Sequence, residues 1–417
     1  MAQLIDNCFA LGDTLKTAGE ALSIMRERLF PIKKTEKVPL SGALGRILAE
    51  DIISSREVPP CDNAAVDGYT VSFDSLNPDK DSAFPVAGRI AAGHPAFRAA
   101  CRDEAWQIFT GAPMPEGHDT VVMQEDCRYD GNQVFLPKGI RRGINRRRAG
   151  EDVSKGAVIL RSGQRMKAQH IGHAASISIS ELNVFERLRV AIFSTGDEVR
   201  DVGDSLDSGC IYDSNRYAIS ALLKGLGCKV GDLGIVPDHP KILEDALADA
   251  EANFDVIITS AGISMGEEDH VRSAVQALGN LYFWRLAIRP GRPLALGQIG
   301  KKPFIGLPGN PVAAIVTFMI FARPALLTLA GCADTQPLSF RVPALFSYNK
   351  KAGRKEWIRA SISSGTDGQI GAKKYHKDGA GILSSMVNSS GLLELPEELT
   401  EIRAGTMLKF IPFSEMS

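Results

Sequence analysis

The chain has no C-x-x-C pair, no G-x-G-x-x-G and no G-x-x-x-x-G-K-[ST] anywhere in its 417 residues. Its seven cysteines (Cys8, Cys61, Cys101, Cys127, Cys210, Cys228, Cys332) are scattered and odd in number. Together with the missing C-x-x-C, that argues against a disulfide framework, a structural zinc and a redox dithiol, and a reducing, cytoplasmic setting is expected. The two missing glycine motifs exclude the usual fingerprints of a nicotinamide dehydrogenase and a P-loop NTPase. Charge of one sign is missing too: 48 Lys and Arg against 49 Asp and Glu give a net charge of −1. No global field exists to collect nucleic acid or acidic membrane, so any anion site must be built locally. Residues 1–8 lack the basic and apolar parts of a signal peptide. The longest strongly apolar stretch, 312–322, reads as too short for a bilayer and ends at Arg323. A soluble protein is expected. The seven histidines form no metal pattern, and His170 and His173, three apart on a predicted helix, read as structural.

What is present is ordinary globular composition, 44% hydrophobic and 23% charged, in a chain long enough for about two to four domains. Residues 15–29 carry Leu15, Ala18, Leu22, Met25 and Leu29 at helical spacing, and a second short helix is expected over 43–49. From 54 to 148 short apolar runs (84–86, 105–109, 120–124, 133–136) are punctuated by Gly, Pro, Asp and Asn, the texture of a β module. A helix over 168–176 is then expected, where the chain rejoins the opening helical region. Over 187–331 strand-like runs at 188–194, 228–236, 256–260, 283–288 and 303–307 alternate with helical patterns at 215–226, 240–252, 269–278 and 311–329, the last with a kink expected at Pro324. That alternation predicts a doubly wound α/β domain. Residues 332–417 return to short β runs at 340–343, 356–361, 392–395 and 407–410.

Ligands of doubly wound sheets bind beyond the carboxyl ends of the strands. Here those ends read Ser194-Thr195-Gly196-Asp197-Glu198, Pro237-Asp238, Ser260-Ala261-Gly262-Ile263-Ser264 running on to Asp269, and Leu307-Pro308-Gly309-Asn310-Pro311. Glycine-rich strand-to-helix turns offer backbone N–H groups to phosphate or another oxyanion. Acids in the same crevice call for a divalent cation such as Mg²⁺ between them and that anion. Turn-making and helix-capping account for any single loop, but four at one sheet edge favour a site. Arg285, Arg289 and Arg292 cluster nearby, with guanidinium forks suited to tetrahedral oxyanions or simply to a solvated strand end. Five arginines between 141 and 148 lack interleaved aromatics, so no nucleic-acid partner is expected.

The motifs VPPCDNAAVDGY, FTGAPMPEG, VVMQE, RRRAGEDV, FSTGDE, IYDSNR, GISMGEEDH, FWRLAIRPGRP and GLPGNPVA, in this order over about 45–330, resemble the molybdopterin molybdenumtransferase family: bacterial MoeA and the E domains of gephyrin and plant Cnx proteins. The resemblance implies a multidomain α/β and β protein. Its parts are an elongated helical-β domain in two segments (1–53 and 149–186), an inserted β domain (54–148), a molybdopterin-binding, MogA-like doubly wound α/β domain (187–331) and a C-terminal β-barrel-like domain (332–417). It also implies a homodimer with an active site shared between subunits and transient contact with the molybdopterin adenylyltransferase. The implied reaction takes adenylated molybdopterin and molybdate, hydrolyses the adenylate with a divalent cation, usually Mg²⁺, and places molybdenum on the pterin's dithiolene sulfurs.

By motif match the resemblance assigns Asp67, Glu198, Asp238 and Asp269 to catalysis, with Glu198 and Asp269 holding the cation. Thr110, Arg147, Asp152, Ser194, Gly196, Asp197, Gly262, Ser264, Pro308, Gly309 and Asn310 are expected on the substrate. Arg285, Arg289, Arg292, Arg359, Ser384 and Ser385 are expected on molybdate. Three departures from the family pattern stand out: arginine for lysine at 285, 289 and 292; Ala380 for a frequent serine, with Ser384 or Ser385 as compensation; and Ala261 for a common glycine, expected to matter little. A molybdopterin carrier or scaffold without turnover, and a nucleotide pyrophosphatase on the same α/β fold, are the competing readings. Molybdate against tungstate stays open.

Overall fold

The computed structural model describes residues 15–263, 270–364 and 368–416. The first helix, Ala18–Arg28, begins at a T-x-x-E capping box: the Glu20 amide donates to Thr17 Oγ1 at 3.2 Å and the Thr17 amide to Glu20 Oε2 at 2.7 Å. It buries Ala18, Ala21, Ile24 and Met25, while Leu15 stays exposed. No helix forms over 43–49. Gly45 takes φ +74°, which breaks helical geometry, and Gly45 and Leu48 donate instead to the backbone of Met166 and Gln164. Thr35–Pro39 pairs antiparallel with Glu181–Phe185, and Ile52–Ile53 with Val158–Leu160, so the chain before and after the β module folds back on itself.

The β module holds a six-stranded sheet ordered 120–123, 68–71, 105–108, 82–90, 133–136 and 128–129. The central region carries β1 (Arg189–Ser194), β2 (Lys229–Ile235), β3 (Val256–Ser260), β4 (Gly279–Arg285), β5 (Pro293–Ile299) and β6 (Lys302–Leu307), in sheet order β2-β1-β3-β6-β5-β4. The first four in that order run parallel, whereas β5 runs antiparallel to β6 and β4 antiparallel to β5. This corrects the purely alternating reading: β5 follows a tight P-G-R-P turn and its apolar run carries no helix before it. Helices cover both faces. Ile219 and Val312 belong to one core cluster, Leu247 and Val271 to the other. The apolar stretch 311–329 reaches a mean hydropathy of 2.0, long enough by composition to cross a membrane, but 89% of it is buried within the protein. Its irregularity is a π-helical turn at Phe318–Ala322, just ahead of the expected position at Pro324.

In the last region Lys355–Ser364, Gly391–Leu395 and Met407–Pro412 form the middle of a sheet that Phe340–Pro343 and Ile370–Lys374 extend. Neighbouring residues on these strands face opposite ways. Ile358, Leu393 and Phe410 fill the region's own core, while Trp357, Leu392 and Ile411 pack into the core of the central region. Trp357 meets Phe321 edge-on at 5.9 Å. Ile288–Arg289 adds a parallel rung to Lys355–Ser364, tying the two regions together.

Candidate functional site

In the central sheet the chain leaves β1 toward β2 on one side and returns as β3 on the other, so the switch point lies between the carboxyl ends of β1 and β3. Ser194, Ser260 and Leu307 sit side by side there in register. Beyond them Gly196 and Gly262 take positive φ. At Gly262 a β-carbon would lie 2.6 Å from the Thr195 methyl, which makes glycine obligatory. Asn215, on the first turn of the helix Ser214–Gly225, reaches across the edge: its Nδ2 donates to Ser260 Oγ at 2.9 Å and to Gly309 O at 2.7 Å. Ser194 Oγ, Thr195 Oγ1 and Asn215 Oδ1 are buried without a hydrogen-bond partner among the described residues. Buried polar atoms are normally paired, so three orphans at the switch point mark a place for a polar ligand.

Ala261 belongs to the same turn. It adopts φ +77°, a region costly for an L-residue, so the alanine does matter, contrary to the sequence expectation. A β-carbon on Gly309 would come within 3.3 Å of the Ala261 β-carbon, so the two loops close tightly on each other. Glu198 folds back over Gly196, where a β-carbon would meet its Oε2 at 2.5 Å, and its carboxylate has no hydrogen-bond or ion-pair partner among the described residues. Asp197 is exposed and Asp238 half-buried. Ser264 and Asp269 lie outside the described residues. Asn310 occupies the N-cap position of the helix Pro311–Thr317 without a side-chain capping bond, and Pro311 stands at its first position.

A second feature adjoins the first. A cavity of about 280 Å³ is lined by Arg289, Arg292, Arg354 and Arg359 together with the backbone of Gly379 and Ala380. Its volume suits a small oxyanion with a few waters. Arg359 is only 6% exposed, and burial pulls its guanidinium below its ordinary range. It has no carboxylate partner among the described residues. Instead its Nε donates to Ser385 Oγ at 2.9 Å and its Nη2 to Gly379 O at 3.1 Å. Asp378 on the cavity wall supplies a partial counter-charge without pairing with Arg359, and an anion would complete a buried cation that is otherwise costly. Ser385 is fully buried and its own proton goes to Ile382 O at 2.6 Å, so it braces Arg359 from behind rather than offering a donor to the cavity. Ser384 is exposed and, like Arg285 at the end of β4, does not line the cavity. The Val312 amide donates to Ala380 O at 2.9 Å, and a β-carbon on Gly291 would lie 3.5 Å from the Pro308 ring. The arginine cavity therefore abuts the loop 308–310 of the sheet edge.

The third group lies in the β module. Asp67 Oδ1 accepts from both the amide and the hydroxyl of Thr110, each at 2.7 Å, and the backbone bond foremost holds its carboxyl below the usual range. Gly68 beside it is forced, because a β-carbon would meet Val122 O at 1.9 Å. Arg147 pairs with Asn63 across a short ladder, and the Asp152 amide donates to Val58 O; both side chains are exposed.

The six described cysteines are free, and burial pushes the Cys127 and Cys228 thiols up to about 12. Among the described residues no three of His, Cys, Asp and Glu group as metal ligands. His170 Nδ1 accepts from the Lys167 amide, a helix-start role.

Family models match in three blocks: MoeA N-terminal region (domain I and II) over 16–178, probable molybdopterin binding domain over 191–328, and MoeA C-terminal region (domain IV) over 341–413. A Haemophilus influenzae protein named molybdopterin molybdenumtransferase is 38% identical over 406 residues, covering 96% of this chain and 99% of that protein. The chain belongs to the molybdopterin molybdenumtransferase family. A Nostoc member with the same name is 35% identical over 89% of this chain and 87% of its own length. The crystal structure of the molybdopterin biosynthesis MoeA protein from Pyrococcus horikoshii OT3 superposes with a TM-score of 0.82 at 27% identity, covering 96% of this chain and all of that one. The MoeA-type multidomain α/β and β architecture is thus that of this chain. Within it, sequence motifs had pointed to the glycines and acids of the sheet edge but not to Thr195 or Asn215. The motif IYDSNR contains Asn215, yet nothing local says that its amide reaches Ser260 and Gly309.

Proposed function

We propose that this chain is a molybdopterin molybdenumtransferase, inserting molybdenum from molybdate into adenylated molybdopterin with hydrolysis of the adenylate and release of AMP. The observation that carries the proposal is the contiguity of the two features: an arginine cavity sized for an oxyanion, joined by the Val312–Ala380 bond to a sheet edge with unpaired polar atoms. In this reading the pterin phosphate lies against the glycine turns after β1 and β3, taking hydrogen bonds from Ser194, Thr195 and the loop amides. Molybdate waits among Arg289, Arg292 and Arg359, whose charge balances a dianion without holding it irreversibly. The dithiolene sulfurs of the substrate supply the soft ligands that molybdenum prefers, so no cysteine cluster is needed.

The Glu198 carboxylate, without a partner among the described residues and a hard oxygen donor beside the glycine turn, suits Mg²⁺, and Asp269 is its proposed companion. The cation supplies charge neutralisation between these acids and the phosphate. Asp238 lends further negative charge to the cleft. Asp67, fixed as a carboxylate by Thr110, orients water or the pterin, with Arg147 and Asp152 beside it in the substrate path. The proposal places the β module of one subunit over the sheet edge of the other in a cytoplasmic homodimer of four-domain chains, divided as the sequence expects. The adenylyltransferase would hand over its product by transient contact.

AMP release from adenylated molybdopterin with Mg²⁺, with and without molybdate, tests this. Molybdate-dependent release, yielding a pterin that activates an apo-molybdoenzyme, is expected. Tight pterin binding without AMP release would leave a carrier or scaffold in its place.

A further inference from the structure

The arginines of the cavity are not held alike. Arg359 is braced by Ser385 and Gly379. Arg292 is exposed, with no hydrogen-bond or ion-pair partner among the described residues. Arg289 has 44% of its side chain exposed, yet it is tied: Nη1 donates to Tyr348 Oη at 3.0 Å and lies 3.5 Å from Glu356 Oε2. Tyr348 in turn donates its proton to Glu356 Oε2 at 3.1 Å. The other carboxylate oxygen, Oε1, accepts from Arg354 Nε at 2.7 Å. Glu356 is 1% exposed, so this carboxylate is buried at the wall of a cavity that collects anions.

By charge alone a carboxylate there opposes an oxyanion. Its presence is accounted for by aim rather than by charge. We propose that Tyr348 and Glu356 form a positioning pair that holds the Arg289 guanidinium toward the cavity, so that the oxyanion meets a preset fork instead of a mobile side chain. The inference rests on reading the cavity as an oxyanion site. The phenol itself is no donor to the anion, because its proton is committed to Glu356 and its lone pairs face Arg289. Its influence therefore passes through Arg289. The ring is fixed in place as well: Lys374 Nζ sits 5.3 Å from its centroid and is itself held by Asp378 at 2.6 Å. A long arginine left free loses rotamer freedom on binding, and holding it beforehand removes that cost.

A double-mutant cycle on the full chain tests the pair, with molybdate and tungstate affinities measured by calorimetry for the unaltered protein, Tyr348→Phe, Arg289→Ala and the double variant. Tyr348→Phe removes one oxygen and keeps the ring. It is expected to weaken binding by roughly fivefold when Arg289 is present and to have no effect when Arg289 is gone. Tyr348→Leu in the same cycle gives a second reading should the ring contact with Lys374 contribute by itself. Equal losses in both backgrounds would overturn the positioning pair while leaving the oxyanion site intact. Failure of the unaltered protein to bind either oxyanion would overturn the site reading, and the pair with it.

Discussion

The sheet edge and the arginine cavity are neighbours built on opposite plans. At the edge, Ser194 Oγ, Thr195 Oγ1 and Asn215 Oδ1 are buried with no partner among the described residues, and among them the exposed Glu198 carboxylate is unpaired too. Each of the three buried orphans costs about 1–3 kcal/mol until something satisfies it. In the cavity, Arg289, Arg354 and Arg359 are already anchored by Tyr348, Glu356 and Ser385. Under the proposed function a ligand would satisfy the unmet bonds of the edge, whereas three of the cavity arginines are held in place beforehand. Two substrates that must meet in order can thus be held side by side, one by filling unmet bonds and one by a prepared charge.

The largest effect that separates the two plans is removal of the divalent cation. Chelation with EDTA is expected to lower AMP release by at least about 100-fold, since the phosphate chemistry at the edge loses its charge neutralisation. Molybdate affinity at the cavity should stay unchanged in calorimetry; a parallel loss would mean the two features share one cation. Next in size, Arg359→Met should weaken molybdate binding by about 10- to 100-fold, the worth of a charge-assisted bond. Its thermal midpoint should hardly move, because a buried charge without a carboxylate partner adds little to the fold.

Ala261→Gly sharpens the comparison from the edge side. Releasing φ +77° from a β-carbon should raise unfolding free energy by about 1 kcal/mol, seen in denaturant titration, and leave molybdate affinity alone. The smallest effect concerns Asp67. Its folded pKa is depressed below 3.8 by the Thr110 bonds, so the stabilisation it gives the Thr110 turn is complete above about pH 4. That contribution fades as pH falls through the lower folded value. Asp67→Asn should remove this acid dependence of the turn, followed by amide exchange at Thr110, with the β module still folded.

Much of the edge was legible in the sequence because it is local. The apolar runs of β1, β3 and β6 end in glycine-rich turns, and a strand that runs into a turn and then a helix says where the turn must point. The parts that escaped depend on contacts distant in sequence. Residues 43–49 carry helix-forming leucine and alanine, but Gly45 and the backbone of 164–166 hold them in a turn followed by isolated bridges. Ser385 reads as a hydroxyl donor in sequence and proves to be buried behind Arg359. Tyr348 and Glu356 gain meaning only because Arg289 and Glu356 fall on the same rung between two strands far apart in the chain. Ala261 looked harmless until its φ was known.

The most direct test of the account is a crystal structure of the protein soaked with tungstate, with the tungsten located by anomalous scattering. One strong peak is expected within hydrogen-bonding reach of the Arg289, Arg292 and Arg359 side chains, beside the loop 308–310. A peak at the glycine turns of the sheet edge with the arginine cavity empty would contradict it.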